Sequence, residues 1–146
     1  MQTFLPYACF RWSAKVLDSR RLNKQIQEGM QILSTLLGTT KRTGWRNHPA
    51  VKQWAGYEEA LKLYINCCID EWLTRKKKNG EPITSNADKY QEIDYKKLCA
   101  PWWLGYTLYH STHRSNLKRK YPEWYNQFNW SEYPDLPYIW PSKEVE

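Results

Sequence analysis

The chain has 146 residues, enough for one compact domain with its own core. Lys and Arg number 22 against 15 Asp and Glu, a net charge of +7, so a polyanionic partner is the first expectation. No stretch approaches the roughly 20 apolar residues of a membrane span, Cys9, Cys67, Cys68 and Cys99 lack C-x-x-C spacing, and no secretory signal opens the chain; these features lead us to expect reduced thiols, no membrane contact and a cytoplasmic location.

Pro6 keeps residues 1–11 extended. Ser13 reads as the N-cap of a first helix running to about Leu37, where Gly38-Thr39-Thr40 stops it. Within it Leu22, Ile26, Met30, Leu33 and Leu37 recur as one apolar stripe. Arg21, Lys24 and Glu28 fall at i, i+3 and i+7, on a shared face away from that stripe. Glu28 is the one carboxylate between Asp18 and Glu58, and residues 11–46 hold eight Lys and Arg against only Asp18 and Glu28. A basic face attracts phosphate, and one acid inside it suits proton transfer or charge stabilisation on a nucleic acid. The plainer alternative is a surface pair with Lys24, worth ~0.3–0.5 kcal/mol.

Asn47 or His48 caps a second helix with Pro49 at its first position, and that helix closes near Arg75-Lys76-Lys77-Lys78 before Gly80 and Pro82. Residues 79–88 read as a polar loop. Asp88 caps a short helix to about Leu98, and Pro101 opens another from Trp102 to about Tyr121, ending in Lys118-Arg119-Lys120. Pro134, Pro137 and Pro141 force an extended, aromatic-rich tail across the helices. The class is all-α: a single domain over residues 1–146, with about three main helices and a Pro- and aromatic-rich C-terminal tail. His110 and His113 lie three apart but lack a third ligand, so neither a metal nor a cofactor is expected.

The segments MQTFLPY, LDSRRLNKQIQE, GWRNHPAVKQW, YEEAL, WWLGY, HRSNLKRKYPEWY and DLPYIWP together resemble a bacterial branch of the pyrimidine-dimer DNA glycosylases of the phage endonuclease V type. The resemblance implies an all-helical enzyme that excises a damaged base from double-stranded DNA and nicks the resulting abasic site. It implies that the nucleophile is the α-amine of the first residue and that a glutamate on the first helix is essential. Those positions are Met1 and Glu28 here, and Gln2, a large second residue, implies that Met1 is retained. An α-amine titrates near ~7.7–8.0, well below lysine, so part of it is neutral at physiological pH. The DNA contacts implied are Gln2, Arg20, Arg21, Lys24, Gln27, Arg42, Arg46 and His48, with His113, Arg114 and Lys118 near the family's second basic cluster. Gln2, Gln27 and Gln31 stand where the family carries basic residues. Two alternatives accompany this reading: a DNA-binding or lesion-sensing module without catalysis, and a glycosylase for another modified base. No obligate protein partner is implied; we expect a monomer in a bacterial or phage-infected cell.

Overall fold

The structure is a computed structural model that describes residues 1–41 and 44–141. Among them the chain is helical and has no strand: α1 (Phe10–Val16), α2 (Ser19–Leu37), α3 (Pro49–Lys52), α4 (Glu58–Thr74), α5 (Thr107–Lys120) and α6 (Pro122–Tyr125), with 3-10 turns at Ala87–Lys89 and Asn126–Phe128. Among the described residues no helix is long and apolar enough to cross a membrane.

The expected first helix is two helices. Leu17 and Asp18 are extended, and Asp18 rather than Ser13 caps the long one, accepting the Arg21 N–H. Tyr125 anchors the break: its hydroxyl lies 2.6 Å from Asp18 Oδ1 and 3.2 Å from the Asp18 nitrogen. Ser13 is buried inside α1, where its Oγ bonds both backbone groups of Tyr7. Gly38 ends α2 as expected, in the left-handed conformation at φ +70°.

The second expected helix also divides. His48 caps α3 through Nδ1, which accepts the Ala50 N–H, and Pro49 opens it as anticipated. Gly56, at φ +86°, then turns the chain before α4. The helix expected from Asp88 is reduced to one 3-10 turn. Asn66 on α4 takes up both backbone groups of Gln91, so that segment needs no helical ladder. The last long helix begins at Thr107 rather than Trp102, after a turn with Gly105 at φ +95°.

Packing centres on α2 against α4 and α1 against α4. One buried cluster joins Leu22, Ile26 and Leu33 of α2 to Leu61, Tyr64 and Ile65 of α4, Tyr109 and Leu117 of α5, and Phe4 and Leu5 of the N-terminal segment. Met30 is half-buried and Leu37 exposed, so the α2 stripe runs out at its C-terminal end. The proline-rich tail lies along α5: the Leu136 N–H donates to Ser115 Oγ at 3.0 Å, and Asn116 donates to Leu136 O at 3.0 Å.

Candidate active site

Residues 1–5 lie in neither helix nor strand, bends follow at 6–8, and α1 takes Phe10 and Arg11 out of the stretch expected to be extended; the backbone polar groups of the first residues are therefore satisfied by side chains. Gln25, buried on α2, accepts the Phe4 N–H at 2.7 Å and donates to Gln2 O at 2.8 Å. The Tyr64 hydroxyl lies 2.8 Å from Phe4 O and 2.7 Å from Gln25 Oε1. Thr3 Oγ1 accepts from the Gln53 amide and the Trp54 indole, both at 3.0 Å.

Two α5 histidines hold Leu5. His113 Nδ1 accepts the Leu5 N–H at 2.8 Å. His110 Nε2 accepts the Gly105 N–H, so its Nδ1 carries the proton and donates to Leu5 O at 2.7 Å. Burial lowers both imidazoles, His113 to about 3, which keeps them neutral for this work. They form no metal set, and no group of three or more ligands occurs among the described residues.

This clamp delivers the chain's first peptide to α2. Glu28 Oε2 accepts the Gln2 N–H at 3.1 Å, and Lys24 Nζ approaches Glu28 Oε1 at 3.8 Å. The Glu28 side chain is 16% exposed against 70% for Lys24, so the carboxylate is held inward while its cationic neighbour stays wet. Met1, Glu28, Arg21, Lys24 and Lys120 all line one cleft of about 170 Å³. A larger neighbouring cleft of about 550 Å³ is lined by Arg20, Tyr121 and Trp124 and shares Arg21 and Lys120 with the first. The two make one basic track, with the terminal residue and Glu28 at one end. His48 caps α3 outside the cleft lining, but its imidazole feels the site: burial lowers its pKa first, the N-terminal charge adds to that, and Glu28 opposes both.

The sequence-predicted residues divide sharply. Met1, Glu28, Arg21 and Lys24 converge on the small cleft, with Arg20 in its neighbour. Arg21 is also tied to Asp18 at 3.3 Å. Gln2 lines the cleft but is only 5% exposed. Gln27 donates to Asn86 Oδ1 at 3.0 Å, pinning the 3-10 turn to α2. Arg46 is exposed, and Arg42 lies outside the described residues. The second basic group is placed structurally: His113 is buried beneath Leu5, Arg114 pairs with Glu132 at 2.7 Å and donates to Pro6 O at 2.6 Å, and Lys118 donates to Trp130 O at 2.8 Å.

Sequence reasoning missed Lys120, Gln25 and Tyr138 as cleft residues. Lys120 was visible only as one member of a basic run. Burial, then the charges of Arg21, Arg119 and Lys24, lower its pKa. A glutamine between Lys24 and Ile26 gives no sign that it binds a strand from elsewhere in the chain.

A family model described as pyrimidine dimer DNA glycosylase matches residues 1–85, the span that contains Met1, Arg21, Lys24 and Glu28. Neither a curated protein nor a solved structure matches the chain.

Proposed function

The chain belongs to the pyrimidine dimer DNA glycosylase family, and from that premise we propose that residues 1–146 act as one glycosylase domain using the Met1 α-amine as nucleophile and Glu28 as its assisting carboxylate. Membership implies a DNA-repair glycosylase with damaged DNA as substrate. The observation that carries the finer reading is the 3.1 Å bond from the Gln2 N–H to Glu28 Oε2, which ties the carboxylate to the first peptide of the chain.

In this reading the neutral amine attacks the sugar C1′ of the damaged nucleotide. The amine–C1′ bond forms, the glycosidic bond breaks, and its electron pair leaves with the base. Glu28 takes the proton lost by the amine and stabilises the positive charge on the sugar. The ring oxygen takes that proton from Glu28 and leaves C1′ as a hydroxyl, which gives an imine and returns Glu28 to its carboxylate form. Removal of a C2′ proton by Glu28 expels the 3′ phosphate by β-elimination, which nicks the strand. Reaching C1′ requires opening the duplex, which costs least where a lesion already distorts it. Arg20, Arg21, Lys24 and Lys120 along the joined clefts hold phosphates, which fixes position rather than sequence.

Borohydride reduction on an abasic duplex tests the nucleophile. The expected product is one covalent protein–DNA adduct, with Met1 as the modified residue by peptide mass spectrometry. An adduct that survives prior reductive methylation of the N-terminus, or no adduct at all, overturns the amine mechanism.

A further inference from the structure

Two polar side chains that line the small cleft have no task in the chemistry above. Gln2 is 5% exposed, and its Oε1 accepts the Thr3 N–H at 2.9 Å, which fixes the orientation of the amide. Its Nε2 is thereby left buried with no hydrogen-bond partner among the described residues. The Tyr138 hydroxyl, arriving from the C-terminal tail, is buried and unpartnered in the same way. Both residues line the 170 Å³ cleft together with Met1 and Glu28. A buried donor left without a partner is costly, so two in one cleft call for a functional account.

Neither group is loosely held. The tail is pinned on both sides of Tyr138, by the Leu136 bonds to α5 and by the Ile139 N–H to Thr112 Oγ1 at 3.5 Å. The Tyr138 ring also packs edge-on against His113 at 5.7 Å and beside Trp140 at 5.7 Å. Burial pushes its hydroxyl up to about 12, so it keeps its proton at neutral pH and can donate. An amide NH₂ can only donate. The cleft lined by Met1 and Glu28 therefore has two unpaired donors in its wall, and donors of this kind suit an oxygen gaining negative charge.

We propose that Gln2 Nε2 and the Tyr138 hydroxyl form a two-donor receptor for the O2 carbonyl oxygen of the departing pyrimidine. This rests on the glycosylase reading above. When the C1′–N1 bond breaks, its electron pair passes to the pyrimidine and spreads from N1 onto O2, the oxygen nearest C1′. Two donors at O2 lower the barrier to breaking this bond, and the pyrimidine anion then takes a proton from water; in a cyclobutane dimer the base stays joined to its neighbouring thymine. A sugar or phosphate oxygen is the other acceptor within reach. That acceptor persists in abasic DNA, whereas O2 does not.

The test compares two substrates under single turnover: a duplex carrying one cyclobutane thymine dimer, and the same duplex carrying an abasic site. Tyr138→Phe keeps the ring packing and removes the hydroxyl. Gln2→Glu keeps the acceptor for Thr3 and removes the donor. Each variant is expected to lower the ratio of dimer excision to abasic nicking at least tenfold relative to wild type, with thermal melting confirming the fold. An unmoved ratio, from equal losses on both substrates or from none, overturns the receptor. A wild-type chain that nicks abasic DNA but leaves the dimer whole also overturns it. A wild-type chain that forms no borohydride adduct removes the glycosylase reading itself, so the two failures are distinguishable.

Discussion

Gly29 and Ile65 meet where α2 crosses α4, so closely that a Cβ on Gly29 would lie 2.7 Å from Ile65 Cγ1. The crossing sets how deep α2 sits, and the neighbouring Glu28 is carried with it. Gly29→Ala gains ~1 kcal/mol of helix propensity but overpacks the crossing at a cost of ~1–3 kcal/mol. We expect a net loss of up to ~2 kcal/mol in chemical denaturation. Ile65→Ala in the same chain should recover part of it, so the pair is not additive. A stabilised Gly29→Ala protein would show that the crossing has room to spare.

Glu28→Gln keeps the shape of the side chain and its acceptor for the Gln2 N–H, while removing the charge and the proton acceptor. Base-catalysed proton transfer of this kind contributes ~10²–10⁴-fold. Single-turnover nicking of an abasic duplex should therefore fall at least ~100-fold, with affinity for the same duplex unchanged or slightly tighter as an anion leaves the basic cleft. Nicking at the wild-type rate would take Glu28 out of the chemistry.

The sequence signals that matched the structure are local ones. His48-Pro49 opens a helix and Gly38 closes one, while the proline-rich tail carries no helix and turns at Pro134-Asp135. Residues whose partners lie far along the chain carry no such local signal. Asp18 falls inside the helix expected from Ser13; in the structure it caps α2 and is held by the Tyr125 hydroxyl, 107 residues along the chain. The resemblance puts His113 near a basic cluster, while the phase of α5 turns it under Leu5. Charge pattern brought Glu28, Lys24 and Arg21 together because all three sit on one helix. It could not bring in Lys120 or Tyr138, which reach the cleft only through the packing of α5 and the tail.

His113 gives the fold a pH dependence of definite sign. In the unfolded chain it takes a proton near ~6.5, whereas burial holds the native imidazole down to about 3. Between those values the unfolded state binds more protons, so stability is full above ~6.5 and is lost as pH falls, at on the order of 1.4 kcal/mol per pH unit for this group. His113→Gln offers an acceptor to Leu5 without an ionisable ring. Its stability curve from pH 6.5 to 4, measured by urea denaturation, should be flatter than wild type by about that slope. Equal slopes would mean that His113 ionises in the folded protein as readily as in the unfolded chain.

Lys118 and Lys120, two residues apart on one helix end, should respond oppositely to loss of charge. Lys118 Nζ is committed to the tail through Trp130 O and Glu132 O, so Lys118→Gln is expected to lower the melting temperature and leave the salt dependence of DNA binding nearly unchanged. Lys120 is shared by both basic clefts and flanked by Arg21, so a phosphate there relieves cation–cation repulsion as well as pairing with the ammonium. Each neutralised phosphate contributes ~0.9 to the slope of log K against log salt. Lys120→Gln should thus reduce that slope by about one, weaken binding most at low salt, and leave the melting temperature close to wild type. Fluorescence anisotropy on a duplex across a salt series measures the slope directly. If the two substitutions changed it equally, the DNA would have to contact the tail side of α5 as well, and the joined clefts would not be its only track.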